Sequence, residues 1–525
     1  MQIIDNKAVL LRTRKPDKYA VIPRSKNLGE VAPGVHEVLV FWGLDEMRVL
    51  RNLGVRSVPS PIKAKYNWPG RHRPFAHQIE TASFLTLHRR SFVFNDPGTG
   101  KTLSALWAAD YLMSKGYVRR CLILCPLSIM HDAWMSGITK SIVHRSAIVA
   151  HHAQATRRIE MIQGDYEFVI INYDGLNLTA NEILADGRFD LIIVDEANAY
   201  KNVSTRRWKS LNKLITPKTY LWMMTGTPAA QSPTDAYGLA KLVNPHGVPQ
   251  FQTAWRDKTM LKVTQFKWVP KREAPTIVFE ALQPAIRYTK EECTDLPPVL
   301  IETRDIPLTP QQRKYYMMLK ELMVVQAAGT TISAINAAAG VSKLLQISAG
   351  AAYTDDKEVV EFDCAPRLNV LMEVLEETSR KILVFAPFRH SIATINTYLT
   401  KHGVTNEVIH GDISLKRRTD VFKRFQTEDA PRVLVIQPQA AAHGVTLTAA
   451  DTVIFWGPVM SVETYKQCIA RSDRIGQDST KVTVIHLQGS EIERKMFKML
   501  EERVDDHALL IKLYEECLRD DITNV

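Results

Sequence analysis

Four short stretches hold the residues that could do chemistry. In residues 92–103, an apolar β-type run (Phe92, Val93, Phe94) feeds Asn95-Asp96-Pro97-Gly98-Thr99-Gly100-Lys101-Thr102. Gly98 and Gly100 let the backbone approach a ligand closely, and a helix is predicted to begin at Lys101-Thr102. Backbone N–H groups and a helix N-terminus that face an anion make a phosphate cradle. Lys101 would then reach β- and γ-phosphates, and the Thr102 hydroxyl could ligate Mg²⁺. Asn95 stands where a glycine usually opens such a loop, so a plain glycine turn with an incidental lysine is the alternative. The second stretch is Leu191-Ile192-Ile193-Val194-Asp195-Glu196. A buried strand that ends in two carboxylates needs a cation or partner, because burying charge is costly. A magnesium nucleotide would supply one, with Asp195 holding the metal through its shell and Glu196 orienting and deprotonating the attacking water. An acidic turn that caps the next helix is the alternative. The third stretch, Thr225-Gly226-Thr227-Pro228, puts small hydroxyl residues where they could hydrogen-bond those carboxylates; an ordinary turn would look the same. The fourth is Gln467 to Gln477, in which Arg471 and Arg474, three apart on a predicted helix, would share a face. Two guanidiniums aimed at a γ-phosphate would act as arginine fingers. Two surface arginines beside Glu463 and Asp473 are the competing reading.

From Arg73 onward, short apolar runs alternate with amphipathic helices, which implies a parallel sheet covered on both faces. The predicted strands are 92–94, 121–125, 147–150, 168–171, 191–194 and 220–224. The first three stretches fall at strand ends, where ligands bind in open α/β sheets. A second series of βα units follows: strands at 381–386, 408–412, 433–436 and 452–455, with helices at 391–400 and 416–425. It carries no phosphate loop of its own.

The chain has 525 residues, enough for two or three domains, with 45% hydrophobic and 23% charged residues. Its formal charge of +11 favours a polyanionic partner without identifying one. The N-terminus lacks a signal-peptide shape and no run approaches a membrane span, so neither secretion nor a membrane partner is expected. The six cysteines are scattered. Cys121 and Cys125 lie inside an apolar strand, so a zinc site is not expected and a reducing, cytoplasmic compartment is.

Together these stretches carry a family resemblance. Arg73-Pro74-Phe75-Ala76-His77-Gln78, the loop around Lys101, Leu124-Cys125-Pro126-Leu127-Ser128, Asp195-Glu196-Ala197-Asn198 and Thr225-Gly226-Thr227-Pro228 resemble the successive motifs of superfamily-two helicases. More narrowly, Lys201-Asn202 after the acidic pair, and Asp235, Tyr237, Leu239 and Asn244-Pro245 further on, resemble the Swi/Snf-type DNA translocases. Asp473-Arg474-Ile475-Gly476-Gln477 is similar to that family's last motif. The resemblance covers about residues 71–488. It departs at 437–443, which lacks the usual Ser/Thr, Lys and paired glycines; at Met460-Ser461-Val462; and at Asn198, where the branch usually carries His.

The resemblance implies an α/β protein with two tandem RecA-like parallel-sheet lobes and a small N-terminal accessory domain. The expected division is 1–70 accessory domain, 71–245 first lobe, 246–345 helical and basic insertion and crossover, 346–488 second lobe and 489–525 C-terminal helices. It implies an ATPase that uses Mg²⁺, with Gln78, Gly98, Thr99, Gly100, Lys101 and Thr102 on the nucleotide, Thr102 and Asp195 on the metal, and Glu196, Arg471 and Arg474 in catalysis. It further implies double-stranded or branched DNA ahead of RNA. A lean motor of replication, recombination or repair in a bacterial or virus-infected cytoplasm fits better than a chromatin role. A strand-separating DNA or RNA helicase is an alternative, and an ATP-gated nucleic-acid clamp with little turnover is another. A small-molecule kinase fails on the paired lobes and distal arginines. In 1–70, Tyr19–Pro23 and Val35–Phe41 read as strands, Leu44–Leu53 as a helix closed by Gly54, and Pro59 to Gly70 as a linker. Between 246 and 345, Trp255, Lys258, Lys262, Lys267, Trp268, Lys271 and Arg272 interleave rings and cations, as phosphate contacts with a stacking platform would; a solvated surface would look alike. At the C-terminus, Ile492, Met496, Leu500 and Val504 mark an amphipathic helix expected to pack on the second lobe.

Overall fold

The computed structural model describes residues 1–71, 73–226, 232–264, 268–293, 298–329, 334–353, 358–441, 445–474 and 477–502. The chain divides into two compact units, Met1–Cys293 and Thr294–Val525.

The first unit opens with four antiparallel strands, β1 (Gln2–Ile4), β2 (Ala8–Thr13), β3 (Ser25–Ala32) and β4 (Val35–Phe41), in the order β1-β2-β4-β3. Val9, Leu11, Val38 and Val40 alternate inward along β2 and β4, as a one-sided sheet requires. Residues 16–19 form a short 3₁₀ turn and further turns follow, not the strand expected at 19–23, because the Ala20 and Ile22 N–H groups bond back to the Asp17 and Tyr19 carbonyls and are not available to a neighbouring strand. The helix Leu44–Asn52 ends before Gly54, whose φ of 86° closes it. Residues 59–70 are packed, in contrast to the linker reading. Ile62 is fully buried, Trp42 donates to the Pro59 carbonyl, and Tyr66 and Trp68 stack edge-on against Tyr111 and Trp107. The small sheet therefore shares one apolar core with the larger sheet beside it.

That larger sheet has seven strands: β5 (Arg90–Val93), β6 (Arg120–Cys125), β7 (Ala147–Val149), β8 (Phe168–Asn172), β9 (Phe189–Asp195), β10 (Tyr220–Met224) and, after a hairpin of β11 (Met260–Lys262) with β12 (Trp268–Pro270), β13 (Ala285–Ile286). The order is β13-β5-β10-β9-β6-β8-β7 and every pair is parallel. The central strands β6 and β10 are buried along their length and β9 from Leu191 on, as parallel strands covered on both faces must be. β13 was not legible as a strand, being two residues long, and it ties residues 246–293 to this first unit. Trp255 is accordingly a core residue, fully buried with its indole N–H on the Pro233 carbonyl, and offers no stacking platform. Trp268 lies under the Arg256 guanidinium, 4.3 Å from its ring centre. Lys267 lies outside the described residues.

The second unit carries a six-stranded parallel sheet of β14 (Val299–Asp305), β17 (Lys381–Phe385), β18 (Asn406–Ile409), β19 (Val433–Ile436), β20 (Ala450–Phe455) and β21 (Val482–Gln488), in the order β14-β21-β20-β17-β19-β18. A two-stranded hairpin, β15 (Ala351–Tyr353) with β16 (Val359–Glu361), is set apart from it. The run after Pro298 thus enters the second sheet as an edge strand paired with β21. The helix Glu491–Glu501 is held by a capping box of Ser490 and Glu493 and buries Ile492, Met496 and Leu500; Val504 lies outside the described residues. Among the described residues no helix is long and apolar enough to cross a membrane.

Candidate nucleotide site

In the seven-stranded sheet, Met224 of β10 pairs with Val93 of β5 on one side and with Asp195 of β9 on the other. Three parallel strands thus end in one row, each strand about 4.8 Å from the next. The loop Asn95–Gly100, the Thr225-Gly226 turn and the Asp195-Glu196 pair all emerge from that row, at the carboxyl ends where open α/β sheets bind ligands. The register alone brings three of the four sequence stretches together.

The loop keeps its shape through buried hydrogen bonds. Asn95, 1% exposed, donates through Nδ2 to Thr81 Oγ1 at 2.9 Å and accepts at Oδ1 from the Tyr288 N–H at 3.1 Å. A glycine could make neither bond. The Thr99 carbonyl takes His77 Nε2 at 2.8 Å and Gln78 Nε2 at 3.3 Å, and the Thr99 hydroxyl donates to the Asp96 carbonyl. Gly98 and Gly100 have φ of 89° and 81°, the left-handed region that favours glycine. A Cβ on Gly100 would stand 2.1 Å from Gln78 Nε2. The helix Lys101–Ser114 starts at once after Gly100, with Ser104 N–H on the Gly100 carbonyl at 3.2 Å. Lys101 Nζ turns back into the loop, 2.7 Å from the Asn95 carbonyl and 3.2 Å from that of Asp96. Gly226 leaves no room for a side chain, since a Cβ there would meet Pro97 Cδ at 2.9 Å. Thr227 and Pro228 lie outside the described residues.

Asp195 is 7% exposed. Trp134 Nε1 donates to its Oδ2 and the Glu196 N–H to its Oδ1, both at 3.0 Å. Glu196 adopts a left-handed φ of 49°, uncommon for a residue with a side chain. The Tyr173 hydroxyl donates to the carbonyls of both Asp195 and Glu196 and so pins that conformation. Burial, helped by the charges of Asp195 and Glu196, pushes the Tyr173 hydroxyl well above its usual range and keeps it a donor. Further along, Lys201 Nζ lies 3.2 Å from Asp235 Oδ2, so two of the residues that marked the resemblance form a pair. The residues present fit a magnesium nucleotide: a helix N-terminus and an ammonium in a loop of open backbone, next to a buried carboxylate aligned by two neutral donors. Cys121 and Cys125 are core thiols that burial pushes well above their usual range. Among the described residues no three His, Cys, Asp or Glu side chains could by themselves hold a metal.

Gln78, which the resemblance puts on the nucleotide, has an amide that is 2% exposed and engaged at both ends: Oε1 accepts from the Phe75 N–H at 3.1 Å while Nε2 braces the loop. Trp134, Tyr173, Tyr288 and His77 are supports that sequence reading missed. Only His77 lay within a recognised motif, and nothing in the sequence links the other three to the site.

In the second unit, Arg471 and Arg474 are not on a helix. The helix Val462–Ile469 ends before them, and they sit in the turn that follows. That turn is pinned to the chain before β20: Leu447 N–H donates to the Arg471 carbonyl, and Gln477 Nε2 to the carbonyls of Ala450 and Ser472. Arg471 is 4% exposed and donates from Nε to the Gln467 carbonyl at 2.9 Å. Its Nη1 and that of Arg474 share the Val445 carbonyl, at 3.1 and 3.4 Å. The two guanidiniums are together through a common acceptor, not through helical periodicity.

The SNF2-related domain matches residues 77–351 and the helicase conserved C-terminal domain residues 366–476. The chain is 23% identical over 495 residues to the protein CHROMATIN REMODELING 4 of Arabidopsis thaliana, covering 85% of this chain and 22% of that one. It is 24% identical to the putative protein p41 of Acyrthosiphon pisum secondary endosymbiont phage 1, covering 76% of this chain and 88% of the phage protein. Measured against the Arabidopsis protein and SWI/SNF-related A-like protein 1 of several animals, the chain spans 22% to 64% of their length. The Sulfolobus solfataricus SWI2/SNF2 ATPase core in complex with dsDNA aligns at 21% identity and a TM-score of 0.40, over 86% of this chain and 97% of that one. The SNF2-related match takes in more than half of the sequence, and the chain belongs to the SNF2-related family of helicase-like ATPases.

Proposed function

We propose that this protein is an ATP-dependent motor that converts hydrolysis into movement along duplex or branched DNA, in replication, recombination or repair. The observation that carries the reading is the single row formed by Val93, Met224 and Asp195 at the ends of three paired strands. It gathers a phosphate loop, a hydroxyl turn and an acidic pair at one rim of one sheet. In this reading the N–H groups of Gly98, Thr99 and Gly100 and the helix start at Lys101 hold the phosphates. Lys101 leaves the Asn95 and Asp96 carbonyls for the β- and γ-oxygens. Gln78 reads adenine in addition to bracing the loop. Thr102 and Asp195 would hold Mg²⁺, which when bound offsets charge on the phosphate oxygens. Glu196, fixed in its strained conformation by Tyr173, takes a proton from the attacking water. Arg471 and Arg474 act on the γ-phosphate from the second lobe, so Lys101 alone holds nucleotide without using it. The cytoplasm of a bacterium or of a virus-infected cell is the compartment we assign.

The test is the rate of phosphate release with single-stranded, double-stranded and forked DNA and with RNA. Stimulation by duplex or forked DNA, abolished in Glu196→Gln with ATP binding kept, is expected. A rate that stays flat at saturating duplex would favour an ATP-gated clamp and sink the motor. Displacement of forked strands without triplex displacement would favour a strand-separating helicase.

A further inference from the structure

Positive charge is concentrated at the start of the chain. Residues 1–75 hold fourteen Lys and Arg against six Asp and Glu, a net +8 of the chain's +11. The structure carries part of that excess to the rim of the seven-stranded sheet opposite the nucleotide loop. Arg90 is the first residue of β5 and Tyr220 the first of β10. At about 3.3 Å per residue this rim is roughly 17 Å from Asn95.

Four guanidiniums converge there. Arg48 and Arg51 come from the N-terminal helix Leu44–Asn52, and Arg89 and Arg90 from the start of β5. Arg48 and Arg89 both lie over the Tyr220 ring, 5.3 and 5.4 Å from its centre, and Arg48 also lies 4.9 Å from that of Tyr117. Each guanidinium is steadied by neutral carbonyls: Arg48 by Thr86, Arg51 by Leu87, Arg89 by Pro217 and Arg90 by Thr216. Among the described residues the only carboxylate paired with any of them is Asp45, 3.9 Å from Arg48. His88, between the two pairs in sequence, is held down to about 4 by burial and by the charge of Arg51. Neutral oxygens aim these cations without neutralising them. Arg48 spends Nε and Nη2 on the Thr86 carbonyl, and Arg51 adds two bonds to Asn52 Oδ1 to its one on Leu87, which leaves each guanidinium at least two of its five N–H donors.

We propose that this arginine rim is a second contact for the phosphates of duplex DNA, separate from any DNA path across the helicase motifs. The assignment rests on the DNA-motor reading above. A polyanion fits better than a small anion because the positive charge extends beyond the four arginines. The charge of Arg48 also reaches Tyr111, with Lys115 5.7 Å from the centre of its ring, and Lys218 is exposed in the turn whose carbonyls receive Arg89 and Arg90. The N-terminal segment then has a binding role, since it supplies half of the rim.

The test compares the salt dependence of duplex binding in the whole chain for the wild type, for Arg51→Gln with Arg89→Gln, and for Arg51→Lys with Arg89→Lys. Each lost phosphate contact lowers the slope of log K against log salt by about 0.9. The glutamine pair should lower it by about 1–2 and the lysine pair should keep it, with thermal midpoints recorded to check folding. Independently of any variant, duplex DNA should protect Lys115 and Lys218 of the wild type from an amine-acetylating reagent. An unchanged slope together with unprotected lysines overturns the proposal while leaving the motor reading intact. Equal protection by inorganic triphosphate would make this a small-anion site and also overturn it. A wild type that does not bind duplex at all sinks the motor reading first.

Discussion

Replacing Gly100 by alanine tests the loop geometry most directly, because its cost can be divided between two residues. Gly100 sits at φ 81°, where an alanine costs about 1–2 kcal/mol. Its Cβ would also lie 2.1 Å from Gln78 Nε2, so the amide must leave. Leaving breaks the bonds to the Thr99 carbonyl and the Phe75 N–H, which contribute about 1 kcal/mol each. Gly100→Ala should therefore cost about 3–4 kcal/mol of loop organisation. If only the organised loop binds phosphates, apparent nucleotide affinity falls roughly 100- to 1000-fold. Gln78→Ala alone forfeits the same two bonds, about 2 kcal/mol or roughly 30-fold. In the double variant the clash is gone but the backbone strain remains, so the cost should match that of Gly100→Ala alone. The expected coupling is thus about 2 kcal/mol. The assay is equilibrium binding of fluorescent ATP and GTP to all four proteins. Loop collapse weakens both nucleotides equally, whereas a direct adenine contact by Gln78 weakens ATP alone. Strict additivity of the two substitutions, or wild-type affinity in Gly100→Ala, would refute the geometry.

Arg474→Lys should keep the second unit folded and lower turnover roughly 10³-fold if Arg474 is a finger. Arg471→Ala, by contrast, should also lower the second unit's thermal midpoint, because it strips the Gln467 and Val445 carbonyls of a buried donor. Arg367 and Glu493 are 3% and 0% exposed and form an ion pair at 2.9 Å. Arg367→Leu would leave the buried carboxylate with only the neutral donors of Gly489 and Ser490 and should destabilise the second unit by about 3–5 kcal/mol in urea melts. Burial lowers the imidazole of His486 from 6.5 to about 4, even with Glu501 Oε1 at 3.1 Å. Its folded-state value lies below the unfolded one, so its contribution is fully present above pH 6.5 and is lost as pH falls toward 4. The loss approaches about 3 kcal/mol, and His486→Gln should flatten urea-melt stability across that window.

Apolar patterning was enough to find the five central strands of the larger sheet and its edge strand β7 to within two residues at either end, because a parallel strand buried on both faces must be nearly all apolar and β7 is an apolar run too. It failed where a strand carries no apolar run or is too short to show one. β3 has no buried residue, and β13 is two residues long and is recognisable only by its pairing with β5. The Pro-rich stretch 59–70 looked like a linker because proline marks turns, yet what packs there is aromatic: Trp68 against Trp107, and Tyr66 against Tyr111. Trp255 looked available for stacking because an indole among lysines has the same composition whether it faces solvent or core.

What the sequence by itself determined is the chemistry available at the nucleotide site. A glycine-rich loop before a helix, two carboxylates at a strand end and paired distal arginines are local signals, carried by residue type and spacing. Tertiary structure decided how those residues are held. Strand order and register put Val93, Met224 and Asp195 in one row. Asn95 proved a brace between Thr81 and Tyr288, residues far from it in the chain. Trp134 and Tyr173 fix the acidic pair from other elements, and Arg471 and Arg474 meet at a carbonyl instead of along a helix. The physical reason is common to all of them. A hydrogen bond between residues distant in sequence leaves no periodicity behind, so only the packed chain reveals which donor meets which acceptor.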